Sequence, residues 1–388
     1  MKIFKTSLWL GVIVALLLGS SAVGAAPKNP TVNLSTQTGT DDDIAAITAV
    51  VEAMQAAVLD QDVDLYMSYV DLSDANFATE HANWANDWGE DDYLTTFTLD
   101  IADLEFLEDG RAIGELTFVY ATSYDHQPGA TAIFPVQFTY DEENETWLYA
   151  GEYWITTDTD HFLVHAAPGL EDVVDVLIPD LPAIYDGVTA DYGHEPVAPM
   201  EIKLYASRPA LWATVLLSLP PYTGWNEPNE SLKLFAGDSS ILTTVVAHEF
   251  THFLSFDQAN QGQPLMPWWL LEGIAQAMAV PFDARGIGGY DQTVLNVRAA
   301  SLATGLVPWQ DIADFKETPT DYWQYVYPQG YTFTRFVTDV YGADLRNEWI
   351  ALQALEMDIN EATEAVFEMT FEQLDAGFLI WLEDFEIE

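Results

Sequence analysis

Histidine and carboxylate must carry any chemistry this chain performs, because its 388 residues contain no cysteine. Thiolate nucleophiles and Cys-ligated metals are thereby excluded. Two of the seven histidines, His248 and His252, stand four apart in Ala247-His248-Glu249-Phe250-Thr251-His252. On a helix that spacing puts both imidazoles on one face, where they can close on a single metal ion. Glu249 is turned by about 100° from His248, so its carboxylate addresses a water at such an ion without ligating the metal. A chain of this composition meets His-Glu-x-x-His by chance roughly once in a hundred trials, so the neighbouring elements have to add weight.

They do. Ile241 to Leu254 is an apolar helical stretch with Asp238, Ser239 and Ser240 available to cap it. A second helix is predicted from Pro267-Trp268-Trp269-Leu270-Leu271-Glu272-Gly273-Ile274-Ala275, in which Glu272 is an acid in a run otherwise free of charge. Burying a carboxylate among Trp, Leu and Ile is costly unless it is paired or bound to a cation. His248, His252 and Glu272 together supply three ligands and leave the fourth tetrahedral position open, the arrangement of a catalytic rather than a structural zinc ion.

The two segments resemble the gluzincin metallopeptidases, in particular their MA-like branch, in which H-E-x-x-H is followed by W-x-x-E-G-x-A. Here Trp269-Leu270-Leu271-Glu272-Gly273-Ile274-Ala275 supplies the second motif, with Glu272 twenty positions after His252 as in thermolysin-like members. The resemblance covers roughly residues 160–388. It implies a peptidase with one catalytic zinc on His248, His252 and Glu272, and Glu249 as general base to a zinc-activated water. Related aminopeptidases carry a Tyr-x-x-Gly element whose tyrosine stabilises the oxyanion. Tyr327-Pro328-Gln329-Gly330 resembles it, with Tyr322, Tyr325 and Tyr331 nearby as alternatives. The Gly-x-Met-Glu-Asn element that holds a free amine in those aminopeptidases has no match between Trp225 and Ile241. A peptide or protein substrate cut internally is the better inference, and the alternative is a silent binding or scaffold protein that keeps the fold.

The elements that must position these residues read as an α+β chain. Residues 1–26 have the basic start, apolar stretch and small-residue end of a signal peptide, so export is expected. Residues 27–40 read as a linker. Helical periodicity from Asp41 to Leu59 and a short helix from Asp62 give way to alternating strands at Thr95–Ile101, Ala112–Tyr120, Ala132–Tyr140 and Thr146–Trp154. Residues 41–157 thus form an α+β unit, whose element order resembles the NTF2-like fold. Residues 158–388 follow as the peptidase domain: strands at His161–His165, Ile202–Tyr205 and Ser231–Phe235, a helix over Leu170–Asp186, then helices to the end.

Composition sets the partners. With 12 basic against 62 acidic residues the net charge is −50, and nucleic acid and anionic membrane are poor partners for such a field. No second stretch approaches membrane-spanning length. The spaced acids Asp60, Asp62, Asp64 and Asp71 imitate a calcium loop, but Leu65 stands where that loop needs Gly. They read as acidic caps around a turn. His161 and His165 share a strand face and could in principle bind metal, but with no carboxylate locked beside them they are expected to be packed or edge residues.

Overall fold

The computed structural model describes residues 36–37 and 39–387, apart from 125, 126, 128, 198, 220, 238 and 356. The signal-peptide reading of residues 1–26 lies outside them. Thr36–Gln37 (β1), within the stretch read as a linker, pairs with Leu107 and Phe106.

The first unit stacks three helices on a five-stranded antiparallel sheet. Its helices are Asp41–Leu59 (α1), Val63–Met67 (α2) and Ala75–Glu90 (α3). Thr40 starts α1 through a capping box with Asp43, and Asp62 caps α2 by accepting from Leu65 N. The strands Leu94–Leu107 (β2), Ala112–Thr122 (β3), Ala130–Asp141 (β4) and Thr146–Glu152 (β5) complete the order β1-β2-β3-β4-β5. On β3 the alternation expected of a half-buried strand holds, with Ala112, Gly114, Leu116, Phe118 and Tyr120 facing inward. Asp71 accepts from Thr139 Oγ1 and Ser73 N, which ties the turn after α2 to the sheet.

A second sheet begins at Ile155–Asp158 (β6), so residues 155–157 pair there rather than with the first unit. It continues through Phe162–Ala166 (β7), Met200–Tyr205 (β8), Gly224–Trp225 (β9) and Leu232–Phe235 (β10), in the order β6-β7-β8-β10-β9. The three inner strands are parallel and the two edges antiparallel. The single helix expected over Leu170–Asp186 is two, Glu171–Leu177 (α4) and Leu181–Tyr192 (α5), with a 3-10 turn at Ile178–Asp180. Pro179 and Pro182 lack the N–H donors that a continuous ladder needs.

Between β8 and β9 lies the short helix Arg208–Ala213 (α6). Helices Ser239–Gln258 (α7), Trp268–Ala279 (α8), Gly286–Thr304 (α9), Trp323–Tyr341 (α10), Ala343–Leu355 (α11), Ile359–Phe367 (α12) and Phe371–Asp384 (α13) build the rest. Their core is continuous with the mixed sheet, joining Ile202 and Leu234 to Phe250, Trp269, Phe333 and Trp349. Among the described residues no helix is long and apolar enough to cross a membrane.

A buried ionic cluster joins the two sheets' territories. Glu80 on α3 meets Lys203 Nζ of β8 at 2.5 Å and Lys233 Nζ of β10 at 3.7 Å, and Lys233 also meets Glu230 at 2.8 Å. Burial would raise the Glu80 pKa, but both ammonium groups and the bonds from Lys203 and Ser231 outweigh it and bring it down to about 2. Burial pushes the adjacent His81 imidazole down to about 3, with Glu80 opposing and the two lysines adding to the fall.

Both shifts make the joint acid-labile. The carboxylate's contribution is complete above its ordinary value of 4.5 and is lost as pH falls toward 2. The imidazole of the unfolded chain takes up a proton below 6.5 that the folded chain refuses until about 3, so stability falls across that window as well. Urea unfolding should therefore show a midpoint that drops from pH 6.5 downward and more steeply below 4.5. Substituting His81→Phe should remove the upper part of the drop. At pH 7, Glu80→Ala should lower stability by about 3–5 kcal/mol, because Lys203 is left buried without its partner.

Candidate metal centre

His248 and His252 project from the middle of α7, one turn apart, and Glu272 comes up to them from the second turn of α8. His248 Nε2 lies 3.2 Å from His252 Nε2 and 3.2 Å from Glu272 Oε2, and His252 Nε2 lies 3.3 Å from the same oxygen. Three donor atoms at the corners of a nearly equilateral triangle form one face of a tetrahedron. An ion bound at 2.0–2.1 Å spaces its tetrahedral ligands by about 3.3 Å, so the residues fit a small divalent cation. Among the described residues this is the one group of three or more His, Asp or Glu placed to share a metal.

The carboxylate is aimed by a residue that the motif reading passed over. Trp268 Nε1, one turn before Glu272 on α8, donates to Glu272 Oε1 at 2.9 Å and leaves Oε2 for the imidazoles. Burial works to raise the Glu272 pKa, but the charges and hydrogen bonds of His252 and His248 outweigh it and hold the group well below the usual carboxylate range. The signal for Trp268 was the i, i+4 spacing to an acid in an apolar helix. Trp269, the motif tryptophan, is instead a core residue packed on Trp309 and Phe333.

Glycines decide how closely the helices approach. A Cβ on Gly273 would lie 2.3 Å from the Gly330 carbonyl carbon, and one on Gly330 would lie 2.0 Å from the Trp269 carbonyl oxygen. α8 and α10 therefore cross backbone to backbone, which no side chain larger than hydrogen permits. The crossing sets Glu272, one residue before Gly273, beside Tyr327, one turn before Gly330. Tyr327 lies in the second turn of α10, its ring centroid 6.3 Å from that of His248 and 6.5 Å from that of Trp268. Burial, together with the Glu272 and Glu249 charges, raises its phenol far above the ordinary range, so it stays a proton donor. Tyr331 packs on Tyr290, and Tyr322 against Tyr325.

Glu249 is 7% exposed. Burial pushes it up to about 7, with His248 opposing and Glu272 adding to the rise. On the sheet side it is covered by the edge strand β9, where a Cβ on Gly224 would lie 2.3 Å from Glu249 Oε1. Gly224 was not singled out from the sequence, because nothing in its neighbours marks the approach. Among the described residues, the other histidines stand apart from this centre. His161 stacks on Tyr185 at 3.6 Å between ring centroids. His165 meets Thr156 Oγ1 at 3.0 Å and, contrary to the reading that no carboxylate stands beside it, Glu201 of the neighbouring strand β8 at 3.6 Å; His194 pairs with Asp257 at 2.8 Å.

No family model matches the chain, and no curated protein matches it as a relative.

Two substitutions test the construction of the centre. Trp268→Phe should lower affinity for zinc or cobalt by about 10–100-fold, the effect of losing a group that orients a ligand, with little change in Tm. Gly330→Ala gains about 1 kcal/mol of helix propensity but should lose about 1–3 kcal/mol net from the clash at the crossing, and metal affinity should fall with it. Chelator competition and thermal unfolding give the two readouts.

Proposed function

We propose that the protein is a zinc-dependent peptidase of the gluzincin type, acting on internal bonds of peptides or proteins. His248, His252 and Glu272 hold the metal, Glu249 is the general base and Tyr327 the oxyanion donor. The observation that carries the reading is the triangle of His248 Nε2, His252 Nε2 and Glu272 Oε2, with edges of 3.2–3.3 Å. Two nitrogens and one oxygen suit zinc, and three protein ligands suit a catalytic site. When bound, zinc supplies a Lewis acid that acidifies water and polarises a carbonyl.

The chain's own residues do the rest. Glu249 accepts the proton of the attacking water and passes it to the departing amine. Tyr327, held neutral, donates to the oxygen on which negative charge develops. Trp268 fixes the face that Glu272 turns to the ion. β9 is an edge strand two residues long that runs past Glu249. Its outer side is suited to pairing with an extended substrate segment, as edge strands do in peptide recognition, and this favours internal rather than terminal cleavage.

The test is hydrolysis of a broad peptide mixture by the zinc-loaded protein beside its Glu249→Gln variant, with sites read by mass spectrometry. The parent should cut at internal positions. The variant should retain zinc and lose at least about 100-fold in rate, the scale of general-base catalysis. Stoichiometric zinc in both with cleavage by neither would defeat the proposal in favour of a binding or scaffold role.

A further inference from the structure

One face of α3 contacts the second unit from Glu80 to Asp87. Glu80 binds Lys203, Lys233 and the Ser231 amide, the last at 2.9 Å. Asn83 Nδ2 donates to Glu230 Oε1 at 2.7 Å. Trp84 Nε1 donates to the Ala213 carbonyl at 3.1 Å in a buried setting. Asp87 accepts from Ser218 twice, from the amide at 3.0 Å and from the hydroxyl at 2.5 Å. The positions 80, 83, 84 and 87 are one helical stripe, and its partners all lie between β8 and β10 or on those strands.

The residues it grips are not at a surface. Leu211 and Leu217 are completely buried and Ala213 and Val215 nearly so, in the core formed by Trp84, Phe97, Phe118 and Phe134 of the first unit. The space left beside them, lined by Tyr66, His81, Trp84, Tyr149 and Thr214, is about 20 Å³. That is room for about one water, whose minimum is on the order of 10–15 Å³. From this anchorage the chain runs directly to the metal centre. Trp212 Nε1 closes on the Tyr222 carbonyl at 2.8 Å, Phe235 N binds the Thr223 carbonyl at 2.9 Å, and Gly224 then lies against Glu249.

We infer that the first unit takes as its occupant the chain's own residues 207–219, and that by gripping them it holds β9 against Glu249. Trp84 and Asp87 are on this account positioning residues for a centre in another part of the fold. The inference rests on the peptidase reading for its effect on rate, but not for its effect on β9. It gives the N-terminal unit a role that needs no small-molecule ligand: it is the wall against which the cleft is built. Since a misplacement of about 1 Å can cost on the order of 100-fold in rate, slackening of this segment is expected to be felt at Glu249.

The experiment compares the full-length zinc-loaded protein with Asp87→Ala, Asp87→Asn and Trp84→Phe. It measures kcat, zinc affinity, and amide hydrogen exchange of peptides covering 207–225 and of α7 and α8. In Asp87→Ala, kcat should fall roughly tenfold or more with zinc affinity unchanged. Exchange should quicken over 207–225 and not over the metal-bearing helices. Asp87→Asn keeps one acceptor oxygen for Ser218 and should restore part of both effects. Trp84→Phe keeps the bulk, loses the bond to Ala213, and serves if Asp87→Ala does not fold. If the variants exchange and turn over like the parent, or lose zinc and overall stability in step with kcat, the inference is overturned. A parent that hydrolyses nothing would sink the peptidase reading alone, because faster exchange over 207–225 at unchanged zinc affinity would still support the grip.

Discussion

Gly273 and Gly330 touch without side chains, and the geometry of the candidate metal centre follows from that contact. α7 by itself offers two imidazoles on one face. The third ligand reaches them only because α8 lies close enough to α10 for the Gly330 backbone to approach Trp269 and Gly273 directly. The backbone contact sets that proximity, and the packed helices hold the three donor atoms together. Tyr327 and Trp268 inherit their places from the same crossing, one from each helix. A single backbone contact thus positions a ligand, the group that orients it and the proposed oxyanion donor.

The second organising feature is the buried ionic joint at Glu80. Lys203 and Lys233 are 4% and 2% exposed, which spends two of only 12 basic residues inside a chain of net charge −50. Replacing such clusters by apolar residues is often neutral or stabilising, so their presence argues for registry rather than strength. Lys203 and Lys233 are direct partners in the parallel pair of β8 and β10. Their shared carboxylate from α3 fixes how the N-terminal unit sits across those strands. A slip by one residue would turn one lysine to the opposite face of the sheet and leave Glu80 half neutralised.

How much of this could be read from the chain follows from how local each signal is. His248, Glu249 and His252 form a helical pattern within five residues, and Glu272 declared itself as a lone acid in an apolar helix. The structure brings those residues and Tyr327 into one place. The strands of the first sheet were legible because alternation is a two-residue signal: β3 to β5 fall close to where it predicts, while β2 runs on past Ile101 to Leu107. α3 was not singled out, because its inward face mixes Phe77, Trp84 and Trp88 with Glu80, His81 and Asp87, and its polar members find partners more than a hundred residues away. α6 and β9, between the strands expected at Ile202–Tyr205 and Ser231–Phe235, were not legible for the same reason: what orders them is the neighbouring unit. The approach of Gly224 to Glu249 is wholly tertiary and leaves no trace in local composition.

Charge accounting at the centre links its geometry to its chemistry. Glu249 and Glu272 are 7% and 8% exposed, two carboxylates in a site whose other facing groups are two imidazoles and a phenol. Burial, with the Glu272 charge adding and His248 opposing, pushes Glu249 up to about 7, the response of an acid whose negative charge nothing nearby offsets in full. Glu272 escapes that fate because the charges and hydrogen bonds of both imidazoles outweigh its burial. A divalent cation on the open triangle would balance both carboxylates at once, and would leave Glu249 ionised as a base in a site that stays nearly neutral. The same acids that make the candidate centre costly without a cation are therefore the groups that would favour a doubly charged ion there.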